Sequence, residues 1–241
     1  MKARPRSVFP LSVVFALTLS VCAQEKRNDR PAAQPTPAPR VGKETEPPTA
    51  DGIHYTYEFN QPNFVVSHVV IQHDTRGVGT ITFVQRTETP IVEPIQLSSA
   101  AMGRILGLWR DLRFLDSDEN YQAAKDFSHL GTYKIHLEDG QRHRTAEFNW
   151  SDNKSAWALV NEYRRAGDQA IWVFDMKLAR EMQPLNAPGL LTVLESALTR
   201  NDFSDPRQLV PLLTELRTDE HIPLIARNHA DRILKKIEKA P

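Results

Sequence analysis

Twice along this chain a pair of alternating, β-branched segments closes around a glycine-bearing turn, and each pair is followed by a stretch of helical periodicity. The first pair is Phe64 to His73 (FVVSHVVIQH) and Thr80 to Arg86 (TITFVQR), joined by Asp74 to Gly79. The second is Thr132 to Glu138 (TYKIHLE) and Gln141 to Phe148 (QRHRTAEF) around Asp139-Gly140. Period-two alternation beside a glycine turn specifies a hairpin, and Asp-Gly is among the strongest short hairpin signals. A short alternating segment, Tyr55 to Phe59, precedes them. The order predicts an α+β fold, with two β-hairpins forming an antiparallel sheet packed with helices, followed by an all-helical C-terminal segment.

The helical stretches carry their own punctuation. Ser98 is placed to cap a helix to about Leu115, with Met102, Ile105, Leu106, Trp109 and Leu112 on one face. Ser151 is placed to cap the next, whose stripe is Ala156, Leu159, Val160 and Tyr163, and Gly167-Asp168 reads as its break. Ala170 to Phe174 suits a strand by composition, but the absence of a turn signal through Met182 favours helix. Pro188 opens a helix through Leu194 and Leu198. Asp205-Pro206 is an N-cap followed by proline at the first helical position, ahead of Leu209, Leu212, Leu213 and Leu216. A last helix starts near Pro223 and turns Ile225, Ala226, Ala230, Ile233, Leu234 and Ile237 inward.

Two similarities follow from these residues. Leu209-Val210-Pro211-Leu212-Leu213, Leu216 and Asp219, then Ala226-Arg227, Ala230, Ile233-Leu234 and Ile237 resemble a HEAT-type helix pair over residues 205–238, with Glu220 to Leu224 lengthening the link. That resemblance implies a protein-contact surface on the C-terminal helices; an ordinary helix pair packed on the sheet domain is the plainer alternative. The hairpin–helix order of residues 54–183 is similar to that of small exported bacterial domains of an uncharacterised family. It is a similarity of element order and brings no site residue with it.

The N-terminus reads as an address. Lys2, Arg4 and Arg6 precede an apolar run of 14 residues from Val8 to Val21, and Val21-Cys22-Ala23 closes it with small side chains. This is the layout of a secretory signal peptide, residues 1–23, and the run is too short to span a bilayer. Cleavage after Ala23 releases the chain to the periplasm or medium and discards Cys22. Alternatively, Leu19-Ser20-Val21-Cys22 resembles a lipobox, which would make Cys22 a lipid attachment point and the only membrane contact. Val21 departs from the small residue that family places before its cysteine, which favours release. Cys22 is the sole cysteine, so packing and not disulfide bonding must hold the fold.

Residues 24–52 are polar and proline-rich and are expected to form a disordered tether. The α+β domain is expected over 53–183 and the helical segment over 184–241. Loss of residues 1–23 removes three cations and no acid, leaving 27 Lys and Arg against 30 Asp and Glu. Such a balance argues against a nucleic-acid partner.

No Gly-x-Ser-x-Gly, His-Glu-x-x-His, phosphate-binding glycine loop or cysteine pair occurs. Asp116, Asp118 and Asn120 fall at calcium-loop spacing, but Tyr121 and Phe127 stand where such a loop needs its glycine and its bidentate Glu. The more pointed candidate is His136 with His143. A two-residue Asp139-Gly140 turn would set them directly opposite each other, on the face away from Tyr133, Ile135 and Leu137. Opposed imidazoles suit a zinc site or a proton relay, with His129 or Glu147 as third ligand. Lys134, Arg142 and Arg144 are read as a charged outer face, His68 and His73 as surface strand residues, and Trp157 and Trp172 as core. The chain is therefore expected to be an exported, non-enzymatic binding or assembly domain of the cell envelope; the alternative is an envelope hydrolase or metal-dependent enzyme using His136 and His143.

Overall fold

A computed structural model describes residues 52–85 and 89–239. The signal, Cys22 and most of the expected tether lie outside the described residues. The alternating segments form one antiparallel six-stranded sheet in the order β4-β3-β2-β1-β5-β6. Its strands are β1 (Ile53–Asn60), β2 (Val66–His73), β3 (Val78–Gln85), β4 (Ile91–Gln96), β5 (Thr132–Asp139) and β6 (Arg142–Phe148). The first four run as a meander, and β5 returns to the free edge of β1. The α+β class and the helical C-terminal segment are as expected. Strand β4 was not foreseen: it is six residues long and contains Pro94, which suits an edge strand and hides it from an alternation test.

Alternation places Tyr55, Tyr57, Val69, Ile71, Ile81, Phe83, Ile135 and Leu137 on one face, all buried. Helices α1 (Ser99–Asp111) and α2 (Lys154–Met182) cover it. Ser98 caps α1 as expected, accepting from the Ala101 N–H. Helix α2 is capped by Asn153, whose side chain accepts from Ser155 and Ala156 N–H, and not by Ser151. Ser151 lies two residues earlier and receives the Asn153 N–H.

Gly167-Asp168 does not break α2, which runs unbroken for 29 residues through Ala170–Phe174. A glycine costs a helix about 1 kcal/mol relative to alanine, and the flanking burial of Tyr163, Ala166 and Ile171 outweighs it. A Cβ at Gly167 would lie 3.5 Å from Ile71 Cδ1 and 3.6 Å from Val69 Cγ1, so this is where the helix passes closely over the sheet.

The second hairpin pairs Asp139 with Arg142, so its turn is Gly140-Gln141 and not Asp139-Gly140. Gly140, at φ +60°, takes the first central position, the arrangement of a type II′ turn, in which only that residue needs a left-handed backbone. The pairing moves by two positions, so every side chain keeps its face while its opposite number changes.

Beyond the sheet, α2 enters a second core. Trp172 and Met176 pack with α3 (Ala187–Arg200), α4 (Val210–Thr218) and α5 (Leu224–Lys239). Leu213, Leu216, Ala226, Ala230, Ile233, Leu234 and Ile237 are buried, whereas Ile225, expected inside, is 68 % exposed. Ile225 precedes the buried stripe by one residue and so points about 100° away from Ala226. Buried Glu162 ties the cores: Oε1 accepts from Arg104 Nη2 (2.7 Å) and Ser204 Oγ (2.6 Å), and Oε2 from Arg165 Nη1 (3.0 Å).

Candidate functional site

The expected face of strand histidines divides in two. His68 faces outward and meets Glu58 Oε1 at 3.1 Å, while Glu58 Oε2 accepts from Lys134 Nζ at 3.0 Å. His73 faces inward and is 3 % exposed, contrary to the surface reading. Its Nδ1 lies 2.7 Å from the Asp74 carbonyl and its Nε2 2.7 Å from the Tyr163 hydroxyl, which also accepts from Trp109 Nε1 at 3.1 Å. A carbonyl can only accept, so Nδ1 carries the proton, Nε2 accepts, and the Tyr163 hydroxyl donates to it.

His136 and His143 share the outer face but are not opposed. His136 lies across from Thr145 and His143 across from Glu138. The two rings are diagonal neighbours, 6.4 Å between centroids, and His136 Nδ1 is engaged with Thr145 Oγ1 at 2.8 Å. His129 sits in a 3-10 turn at Ser128–Leu130, and Glu147 lies opposite Lys134. Among the described residues no group of three His, Cys, Asp or Glu is arranged to hold a metal. Asp116 of the calcium-spaced loop is paired with Arg142 at 2.8 Å. Arg144 is not on the outer face: opposite inward-facing Leu137, its guanidinium lies 4.7 Å from the Phe114 ring centroid. Trp172 is buried as expected, and Trp157 is partly buried against the sheet core.

What the fold does assemble is a cavity of about 540 Å³ between the sheet and the middle of α2. Alternation along β1 brings Tyr57 and Phe59 to its floor, with Val69 from β2 and Tyr133 from β5. Phe59 lies opposite both Val69 and Tyr133 in the register. Arg164, Gly167 and Asp168 form the helical wall, and Phe64, Val65 and Leu130 the lip. Phe64 is 47 % and Val65 68 % exposed, so the lip presents apolar surface to solvent.

Two turns frame the mouth, and Gln61 joins them. Its Nε2 donates to the His129 carbonyl at 2.6 Å, and its Oε1 accepts from the Asn63 N–H at 3.2 Å. Gly131, at φ +110°, permits the second turn to lie over Phe59; a Cβ there would be 2.3 Å from Phe59 Cε2. The Gly167 position likewise keeps the helical wall thin.

The polar groups of this cavity are few. Tyr57 is fully buried and stacked on Tyr163 at 5.1 Å, and Tyr133 is 8 % exposed. Neither phenolic hydroxyl has a hydrogen-bond partner among the described residues. Burial holds both well on the neutral side, Tyr57 with further push from Tyr133 and Asp168. Arg164 reaches Asp168 at 3.3 Å. The Asp168 carboxyl opens to solvent at one side yet is pushed up to about 6 by the low-dielectric wall around it; Arg164 opposes the shift and Asp202 adds to it. No thiol, hydroxyl–imidazole pair or clustered carboxylate lines the space. It offers aromatic walls, two neutral hydroxyls and one ion pair at the edge.

No protein-family model matches this chain, and no curated protein matches it.

In the sequence Tyr133 reads as core and Asp168 as part of a helix break, and Tyr57 and Arg164 carry no site signal of their own. What the sequence does show is an aromatic at every second position of β1 and an i, i+4 Arg–Asp pair. Both are equally at home in a plain core and a plain helix surface, so only the space between them distinguishes a site.

Proposed function

We propose that this chain is an exported binding domain whose cavity between β1, β5 and α2 holds a small, largely apolar molecule with a hydrogen-bonding group at one end. The observation that carries this reading is the pair of Tyr57 and Tyr133 hydroxyls, without hydrogen-bond partners among the described residues, at the floor of a 540 Å³ cavity with an apolar lip. A ligand atom between them would supply the hydrogen-bond partner that the described residues do not. The volume falls within the range of small-molecule sites, roughly 300–1,000 Å³, and the mix of aromatic wall with few polar groups is typical of them. The C-terminal helices, expected to meet a protein partner, supply no part of this cavity. His136 and His143 lie on the opposite face of the sheet and have no role in it.

Native mass spectrometry of the protein purified from its own host tests both halves of the proposal. The expected species begins at Gln24 and carries a small-molecule adduct. An acylated Cys22 would change the retention to lipid anchoring, and a chain beginning at Met1 would remove export. For the cavity itself, N-phenyl-1-naphthylamine serves as a neutral apolar probe. Val66→Trp, which fills the mouth, is expected to abolish its fluorescence enhancement, and the Tyr57→Phe/Tyr133→Phe double variant to leave the cavity open but weaken the native adduct about tenfold. Unchanged probe binding in Val66→Trp would sink the assignment.

A further inference from the structure

A second cavity, also of about 540 Å³, opens where α1 ends, roughly 13 Å along β1 from the first, since Tyr55 borders this one and Phe59 the other. Its floor is aromatic and aliphatic, with Trp109, Phe114 and Leu137. Its rim is cationic: Arg110, Arg113 and Arg142, with Asp116 as the one acid. Asp116 is engaged by Arg142 at 2.8 Å. The Arg110 side chain makes one hydrogen bond, Nε to the Leu106 carbonyl at 3.2 Å, and the Arg113 guanidinium makes none among the described residues. Two guanidinium groups thus stand over an apolar floor, neither paired with a carboxylate among the described residues.

The backbone at Arg113 makes the arrangement pointed. It sits just past the Leu112 C-cap at φ +44°, ψ +45°, a left-handed conformation that helix ends ordinarily give to glycine or asparagine. The end of α3 follows that rule, with Asn201 at φ +57°. Arg113 and Asn201 are the non-glycine residues at positive φ among those described. The cap at α1 needs no side chain from residue 113, since its bonds are backbone bonds: Leu112 N–H to the Leu108 carbonyl and Arg113 N–H to the Arg110 carbonyl. Helix-end complementarity is already met by Arg110 in the last turn. A bulky cation held in a strained backbone position, with no partner for its guanidinium among the described residues, is the pattern of a residue retained for a ligand.

We infer that this cavity is a second binding site, for an organic anion with a flat apolar body. The ring system would lie on the Trp109–Phe114–Leu137 floor, and the carboxylate or sulfonate head would be held by Arg110 and Arg113, whose planar donor forks match such heads.

The probe is 2-naphthoate, with methyl 2-naphthoate as its uncharged counterpart, titrated by calorimetry into the mature chain. The expected result is saturable binding of the anion, weakened by salt, and binding of the ester at least tenfold weaker. Arg113→Gly is the decisive variant because it relieves the backbone while removing the guanidinium. It should lower naphthoate affinity about tenfold and leave Tm unchanged or raised by about 2–4 °C. Arg110→Gln should lower affinity by a similar factor, and Val66→Trp, at the other cavity, should leave it intact. Wild-type affinity in both arginine variants, equal binding of the ester, loss of naphthoate binding in Val66→Trp, or a fall in Tm for Arg113→Gly would each overturn the inference.

Discussion

His73 shows how one buried side chain sets a pH dependence. Burial holds its imidazole below the ordinary value, with the Asp74 carbonyl only partly offsetting that shift. The fold therefore favours neutral His73. Its contribution is complete above the unfolded-state value near 6.5 and is lost as pH falls through the folded value. Protonation at Nε2 would also reverse that hydrogen bond from Tyr163, making the Tyr163 hydroxyl the acceptor and leaving its own proton to find another partner. Asp168 runs the other way. Its folded value, about 6, lies above the unfolded 3.8, so its stabilising share is full below pH 3.8 and disappears as pH rises through 6. The two partly cancel as pH falls below about 6. Urea unfolding of Asp168→Asn across that window is expected to show a steeper loss of stability toward acid than the wild type. In a His73→Gln variant that acid loss should shrink; equal slopes in all three proteins would refute the assignment. Residue-scale chemistry of this kind was hidden in the sequence. His68 and His73 look alike there, and their fates differ because an odd and an even position on one strand face opposite sides of the sheet.

At the scale of elements, the expected cap of α2 falls two residues short of the one the helix uses, whereas Ser98 and Asp205 cap as expected. Ser151 and Asn153 are both capping residues, and Asn153 takes the role because its Oδ1 accepts two N–H groups, Ser155 and Ala156, at 3.0 Å each. Asn153→Ala is expected to lower stability by about 1 kcal/mol, the ordinary value of an N-cap. Ser151→Ala, which removes only a contact to the Asn153 N–H, should cost clearly less. Denaturant midpoints of the two variants measure the difference, and the reverse order would restore Ser151 as the cap. The hairpins were legible because their signal is local: alternation and a glycine suffice to place two paired strands. Which residue opposes which is a finer matter, decided by where the left-handed position falls in the turn. Reading Gly140 as the second turn residue brought His136 and His143 face to face; in the first position it sets them diagonal. The same locality argument explains β4, since Pro94 spoils an alternation that the neighbouring strand β3 restores by pairing with it.

For the molecule as a whole, α2 is the element that matters. Its N-terminal half closes the sheet core and its C-terminal half enters the helical core, so neither core is complete without the one helix. The expected boundary at 183/184 falls at the end of α2, beyond the point where the second core begins at Trp172. With Glu162 also linking α1, α2 and Ser204, the two cores are expected to unfold together. Ile135→Val in the sheet core should cost about 1 kcal/mol and Leu213→Ala in the helical core about 3 kcal/mol. Both should shift a single transition, seen alike by far-UV circular dichroism and tryptophan fluorescence. Separate transitions by the two probes would show that α2 does not couple the cores.

The sequence by itself determined the α+β class, the strands of both hairpins, the buried stripes of the helices and the proline-opened helices of the C-terminal segment. Each of these rests on spacings within about ten residues, where period, turn chemistry and capping act without reference to the rest of the chain. The continuity of α2 through Gly167, the inward turn of His73 and the diagonal placing of His136 and His143 were decided by the tertiary structure. So were the two cavities. Tyr57, Tyr133 and Asp168, like Arg110, Arg113 and Trp109, acquire a shared chemistry only when packing leaves space between them, and no spacing along the chain records an empty volume.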